Sequence, residues 1–545
     1  MNESTSQQMF HRVIIVGSGA GGIQLAYCLK QANIDYLVLD RATAAGSFFE
    51  QFPVRRTLLS INKINTGVTD PVKNLRWDWN SLISDEMDLR FGQLDHDFYP
   101  HADSFVQYLR DFCDRMELRV VFNCNVQSVS QNNRTFLLQT TQGEYTCDLL
   151  VFATGTSVPY LPNIPGAALA ERYGSHDCSI EGCRNKEILI IGKGNSAFET
   201  ADGFLSQAAR IHLISPGDLR MAWRSHFPGH LRQINSPFNE TFTLKQQNAV
   251  LSGRIDSIER ENGRFVVNIV YKSNGLAVTY RYDRVILCTG FMFDSTPFTK
   301  TSMPALIHDD KLPALTSQWE STNVNGLYFC GSLMQSNDYK KSASAFIHGI
   351  RYNARVLSRF LESRLHNRPY PSVATLPLDA DVVADAIFNR IRRTSSLFHM
   401  NDSLCDAFVL NEKTVSLVQY EDVPVQWMAE DPSFCTRIEL RFTFRTPHNP
   451  AVRDSSFSSP PLIHPILYLF HKSKLVGECH MFEDIFVEWN QNEFGFCFQE
   501  ALLRWMDALR ALLMARPLTQ VREPEQLNGS ASHYTNMNSD KVSAY

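Results

Sequence analysis

The sequence predicts an α/β fold with two Rossmann-type dinucleotide-binding domains and a C-terminal α+β accessory domain. A glycine turn between an apolar strand and a helix opens the chain at Gly17-Ser-Gly19-Ala-Gly21-Gly22. The same grammar returns at Gly192-Lys-Gly194-Asn195-Ser196-Ala197. After Pro369-Tyr-Pro371 no further glycine turn of this kind occurs, and mixed helix-like and strand-like stretches take over. Repeated strand, glycine turn, helix and strand is the pattern of a parallel sheet covered by helices.

The elements follow in order. Val13-Ile-Ile-Val16 is a short apolar run that suits a buried parallel strand. Gly17 permits the tight turn, Gly19 lets backbone N–H groups approach a pyrophosphate, and Gly22 lets the helix pack on the strand. Ile23 to Ala32 carries apolar residues at helical spacing, and Tyr36–Leu39 is the second strand, ending at Asp40. A carboxylate there can accept both ribose hydroxyls and excludes a 2′-phosphate, so the first nucleotide is FAD or NAD. The second opening runs from a strand at Glu187–Ile191, through a helix to about Ala208, to a strand at Ile211–Ile214. It ends at Ser215 without an acid. Arg220 and Arg224 follow and can meet a 2′-phosphate, which favours NADPH over NADH. Asp218 counts against this, and a solvated loop is the other reading of both arginines.

Further strands end in small residues at Leu149–Gly155, Val285–Gly290 and Leu327–Gly331, and Ser342–Leu361 reads as a long helix. The expected division is a polar N-terminus at 1–11, an FAD-binding domain at 12–180 and 281–370, and an NADPH-binding domain at 181–280. An accessory domain at 371–516 and a disordered tail at 517–545 complete it.

Composition excludes several classes. At about 150 residues per domain, 545 residues allow roughly three to four domains. Hydrophobic residues are 44% and charged residues 20%, as in globular proteins rather than disordered or fibrous ones. Lys plus Arg is 52 against 57 for Asp plus Glu, a net charge of −5 that disfavours nucleic acid as a partner. No apolar run approaches the ~18 residues that span a bilayer, so no membrane partner is expected. The start carries no signal-like apolar stretch and the end no retention tetrapeptide. Twelve cysteines without a C-x-x-C pair predict a reducing, cytoplasmic setting. His226 and His230 lack a third ligand, so no metal is expected. A homo-oligomer is compatible with the sequence.

Two dinucleotide sites in one chain predict FAD held permanently and NAD(P)H visiting, with hydride passing to flavin and electrons onward. A disulfide reductase needs close cysteines beside the flavin. The C-x-x-x-x-C pair, Cys178 and Cys183, precedes the second nucleotide strand instead. Oxygen is therefore the favoured acceptor.

At these motifs the chain resembles the class B flavin-dependent monooxygenases. The resemblance rests on the first glycine turn, Tyr99-Pro100, Ala153-Thr154-Gly155, Gly192-x-Gly194-Asn-Ser-Ala and Cys288-Thr-Gly290, in that order. It is closest to the FAD-dependent oxidoreductase domain-containing flavoproteins of ER-associated degradation and their bacterial N-oxygenase-like relatives. That likeness is carried by Gly46-Ser-Phe-Phe49, Leu59-Ser-Ile-Asn-Lys63, Asn74–Leu82, Gly194–Ala201 and Asp338–Ala343 with Phe346–Gly349. The F-x-G-x-x-x-H fingerprint of Baeyer–Villiger enzymes is degenerate, with Tyr173-Gly174 and His176 at another spacing.

The resemblance implies FAD contacts at Gly17, Gly19, Gly21, Gly22, Asp40, Arg41, Phe48, Ala153, Thr154, Gly155, Gly331 and Lys341. It implies nicotinamide-nucleotide contacts at Gly192, Gly194, Asn195 and Ser196, beside Arg220 and Arg224. It further implies a monooxygenase that activates O2 as a flavin C4a-(hydro)peroxide and oxygenates a small molecule, most readily at the nitrogen of an amine or amino acid. Asn62 matches an asparagine beside the peroxide in flavin-containing monooxygenases, where an amide donates without protonating; a turn asparagine is the other reading. Lys63 would contact a cofactor phosphate or stay solvated. Ser342 would cap a helix aimed at the flavin pyrimidine edge, whose dipole favours the reduced ring. His348 reads as a structural histidine or a base, and Trp77 and Trp79 as packing. Arg55 and Arg56 would clamp a substrate carboxylate or lie exposed. The competing readings are an NAD(P)H–flavin oxidoreductase with a thiol or quinone acceptor, and a flavin-bound interaction protein.

Overall fold

The computed structural model describes residues 9–244, 247–447, 458 and 461–513. The expected disordered tail at 517–545 lies outside them. The chain forms two units. The first runs to Pro371 and takes in Ser395–Ser403; the second holds Ser372–Thr394 and the chain from Leu404.

The first unit carries two large sheets. In one, Met9–Val16 lies between Tyr36–Leu39 and Gly143–Phe152, all parallel, with Val16 opposite both Leu39 and Phe152. Val120–Val121 extends it beyond Tyr36–Leu39. Leu327–Phe329 pairs with Gly143–Phe152, and an antiparallel meander of Val126–Asn132 and Thr135–Thr140 closes the other side. Val13 to Val16 and Tyr36 to Leu39 are buried throughout, as a strand covered on both faces requires. Ala20–Gln31 and Ile347–His366 pack against each other.

The second sheet centres on Glu187–Ile191, parallel to Arg210–Ser215 and Arg284–Leu287. Ala249–Glu261 continues it in parallel before turning into antiparallel strands at Arg264–Tyr271 and Ala277–Tyr282. Glu171–Arg172 closes the opposite edge. The domain boundaries read from sequence therefore need correction, because Glu171–Arg172 and Arg284–Leu287 belong to this second sheet. Arg284 secures the exchange with a two-pronged bond to Glu171.

The second unit has a six-stranded antiparallel sheet. Its order is Ala374–Pro377, Ser416–Pro424, Leu404–Asn411, Arg437–Thr443, His464–His471 and Lys474–His480. Ala380–Arg393 begins at Asp379, whose side chain caps it, and packs on Gln491–Leu513. Among the described residues, no helix is long and apolar enough to cross a membrane.

The long helix expected from Ser342 begins at Ile347 instead and runs to His366. Phe346 is extended, and a side chain at Gly349 would collide with the Ala343 carbonyl. The chain thus folds back over the first helical turn and cannot continue helically upstream. On this helix Arg351 is fully buried and donates to the carbonyls of Leu75, Asp78 and Ser81 at 2.7–2.8 Å. Arg351→Met would leave those carbonyls without a donor. A loss of about 3 kcal/mol is expected, read as a lower denaturant midpoint at unchanged slope.

Candidate functional site

Both glycine turns are built by backbone contact. At the first, Gly17 has φ +106° and its N–H donates to the Leu39 carbonyl at 2.8 Å. A side chain on Gly22 would collide with the Gly17 carbonyl, and one on Gly21 with the backbone of Gly331. Gly19 differs: a Cβ there would meet nothing within 4 Å. It caps helix Ala20–Gln31 in an extended conformation, without a side-chain bond. The first helical N–H groups thus border open space, which fits a pyrophosphate. Nearby, Ala153 N–H donates to Val16 at 2.8 Å, and the buried Thr154 hydroxyl has no partner. Gly155 and Gly331 are both left-handed.

Asp40 is buried and already engaged. It accepts from Ser18 N–H at 2.5 Å, Ser18 Oγ at 2.6 Å and Ala42 N–H at 2.8 Å. The acid expected for ribose is also the lock of its own turn. A carboxylate has about four lone-pair sites, so capacity remains. Arg41 is exposed, as is Phe48, whose ring sits edge-on to Phe291 at 5.9 Å. Lys341 is exposed as well. Ser342 is buried with an unpartnered hydroxyl and caps nothing, lying five residues before the helix. Beside it in sequence, burial pushes the Asp338 carboxyl up to about 6, against donors Ser344 and Ser403 at 2.7 and 3.1 Å.

The second turn repeats the first. Gly192 has φ +139°, and a side chain there would collide with the Cys288 carbonyl. Gly194 faces open space at the uncapped start of Asn195–Phe204. Asn195, expected to touch the nucleotide, has another use. Its amide donates to the carbonyls of Gly229 and His230 at 3.2 and 2.9 Å and accepts from Arg232 N–H at 2.9 Å. All of this side chain's geometry is spent on holding that loop. Ser196 is half-buried, and its carbonyl accepts from Thr200 at 2.8 Å. Arg220 and Arg224 are exposed, and neither guanidinium has a bonding partner among the described residues. Asp218, which counted against a 2′-phosphate, is paired with Lys272 at 2.8 Å.

Asn62 and Lys63 line a cavity of about 370 Å³ with Ile64, Asn65, His96 and Phe98. Asn62 is buried, and one of its amide hydrogens goes to the Asp95 carbonyl at 2.6 Å. Among the described residues the amide donates no second hydrogen bond, and Lys63 is exposed. Arg55 and Arg56 do not clamp anything here. Arg55 lies over Phe204 at 5.7 Å, and Arg56 bonds Phe49 and Asp103, both at 2.5 Å. A half-buried arginine that the sequence reading passed over, Arg232, sits 5.4 Å above the Trp79 ring. Among the described residues no cluster of three or more His, Cys, Asp or Glu is arranged to hold a metal ion.

Two phosphate-sized cradles at helix starts, each at a sheet's carboxyl edge, define a flavin- and pyridine-nucleotide-dependent oxidoreductase of Rossmann-like α/β fold. Residues 14–331 match the family described as pyridine nucleotide-disulphide oxidoreductase, and the chain belongs to it. FAD-dependent oxidoreductase domain-containing protein 2 of Mus musculus is 34% identical over 447 residues, covering 76% of this chain and 67% of that protein. Two solved structures share the fold at low identity. The FAD-bound cadaverine monooxygenase DfoA of the desferrioxamine pathway in Erwinia amylovora has a TM-score of 0.52 and 15% identity, over 67% of this chain and 98% of its own. The bacillithiol disulfide reductase of Staphylococcus aureus has a TM-score of 0.50 and 18% identity, over 66% and 99%.

The glycines make separable predictions. As apoproteins, Gly19→Val is expected to melt like the parent while flavin occupancy after reconstitution falls about tenfold or more. Gly22→Ala is expected to lower the apoprotein melting temperature as well, because its clash is with backbone.

Proposed function

We propose that the chain is an NADPH-dependent flavin monooxygenase that oxygenates a small molecule at nitrogen, on an amine or amino acid. The reaction balances as R–NH2 + O2 + NADPH + H⁺ giving R–NHOH + NADP⁺ + H2O. The observation that carries this reading is the buried Asn62 amide in its cavity, with one hydrogen spent on Asp95 and one left over. Bound FAD would take hydride from the nicotinamide and activate oxygen. The chain's own residues do the rest. Gly19 and Gly194 leave room for the two pyrophosphates, and Arg220 and Arg224 supply cations for a 2′-phosphate. Asn62 offers a neutral donor that cannot release a proton, which protects a reactive oxygen species from early collapse to peroxide.

The cysteines support an oxygen acceptor over a thiol one. Burial pushes the thiol up at Cys28, Cys178, Cys183, Cys288 and Cys330, so none is primed as a thiolate. Cys330 instead donates to the Gly21 carbonyl, under the first turn.

Rapid mixing tests the reading. Protein reduced by NADPH without oxygen, then mixed with oxygenated buffer, is expected to show a transient blue-shifted flavin band before reoxidation. Direct return to oxidised flavin with stoichiometric peroxide, amines present or absent, would overturn it. Asn62→Ala is expected to shorten that transient and to raise the share of NADPH electrons recovered as H2O2, with flavin content unchanged. Arg220→Ala with Arg224→Ala is expected to raise KM for NADPH about tenfold or more while leaving KM for NADH unaltered.

A further inference from the structure

Arg232 is a cation without a counter-charge. It is half-buried, and its guanidinium has no ion pair or hydrogen bond among the described residues. Burial pushes its pKa down, opposed by Tyr99. Its backbone is fixed by Asn195 Oδ1 at 2.9 Å, and the preceding Leu231 N–H by the Arg220 carbonyl at 3.0 Å. Its guanidinium carbon lies 5.4 Å from the centre of the Trp79 ring, within cation–π range.

The surroundings are aromatic and neutral. The Trp79 ring lies 4.2 Å from that of His348, tilted by 36°, and His348 lies 4.8 Å from His399. Both imidazoles are held neutral by burial and by the positive charge of Arg351, with Arg232 adding to the effect on His348. His399 bonds the Leu75 carbonyl at 3.0 Å. His348 is buried, and its Nδ1 has no partner. Asn62, which lines the cavity, is bridged through its backbone to Asp78, the residue before Trp79.

We propose that Arg232, beside Trp79, anchors a carboxylate of the small-molecule substrate. Arg351 is spent on backbone carbonyls, whereas Arg232 is unpaired among the described residues, which matches a single negative charge. A guanidinium fork matches the two oxygens of a carboxylate. The 2′-phosphate has its own cations in Arg220 and Arg224. The substrate is therefore an amino acid or another carboxylate-bearing amine rather than a simple amine. This choice of molecule rests on the oxygenation reading; the anion site does not.

Binding, not turnover, is the test. Ligand-observed saturation-transfer NMR would be run on the protein loaded with FAD and NADP⁺. The probes are the common L-amino acids, each paired with the amine that remains when its carboxyl is removed. At least one amino acid is expected to bind while its paired amine does not. Arg232→Met is expected to weaken that binding at least about tenfold, and Arg232→Lys to restore part of it. NADP⁺ affinity is expected to change less than about twofold, since the nucleotide phosphates are met elsewhere. The proposal is overturned if paired amines bind as well as amino acids, if no amino acid binds, or if Arg232→Met leaves binding unchanged. It is equally overturned if Arg232→Met weakens NADP⁺ instead, which would make the residue a nucleotide contact. Carboxylate-dependent binding without a blue-shifted transient on oxygenation would retire the oxygenation reading and keep the site.

Discussion

Direct backbone contact at the first glycine turn is the constraint on which the first unit depends. Gly22 lies against the Gly17 carbonyl and Gly21 against the backbone of Gly331, with no room for a methyl group at either. These contacts bring three chain segments together at one sheet edge: the ends of Met9–Val16, Gly143–Phe152 and Leu327–Phe329. Ala153 N–H then reaches Val16, and Cys330 N–H reaches Phe152. The helix start is left pointing into space that no side chain fills. A site for a polyanion follows from packing, before any charged residue is considered. The contact of Gly192 with Cys288 does the same for the second turn.

A second layer of constraint holds the segment that carries Trp79. The segment Leu75–Ile83 has little regular structure, so its backbone groups need partners from elsewhere. Arg351 supplies donors to Leu75, Asp78 and Ser81. Gln24, on the first helix, makes two bonds to Ile83, at 2.6 and 3.0 Å. Trp79 is presented from this clamped segment, and Asn62 is bridged to it through Asp78. The buried cation thus positions the segment and adds to the burial that holds the neighbouring imidazoles neutral. Removing it would disturb geometry and electrostatics together.

Local features were legible in the sequence and distant ones were not. Glycine turns, their flanking strands and the missing acid after Ser215 are decided within a few residues, so spacing reveals them. The start of Ile347–His366 was misread because apolar residues continue at helical spacing upstream; the steric block at Gly349 comes from a chain fold-back that spacing does not encode. Asn195 was read by motif as a nucleotide contact, whereas its amide is consumed by a loop more than thirty residues on. Arg232, Trp79 and His348 are far apart in the chain and form no motif. The signal in the sequence is an arginine after the second nucleotide strand with no acid beside it, a pattern that Arg220 and Arg224 share. Ser395–Ser403 rejoins the first unit from within the accessory stretch, and nothing in its composition marks the return.

The same fold serves a monooxygenase and a disulfide reductase among its structural neighbours, so architecture does not choose the electron acceptor. Side chains must. A thiol relay requires an exposed cysteine whose thiolate is stabilised by nearby positive charge. Here, where Arg55 and Arg284 lie near Cys178 and Cys183, burial still outweighs them and raises both thiols. Among the described residues the Arg232 guanidinium is also unpaired, and it lies over the Trp79 ring rather than beside sulfur. A neutral amide, neutral imidazoles and a guanidinium unpaired among the described residues are the side chains on which the proposed anion site rests.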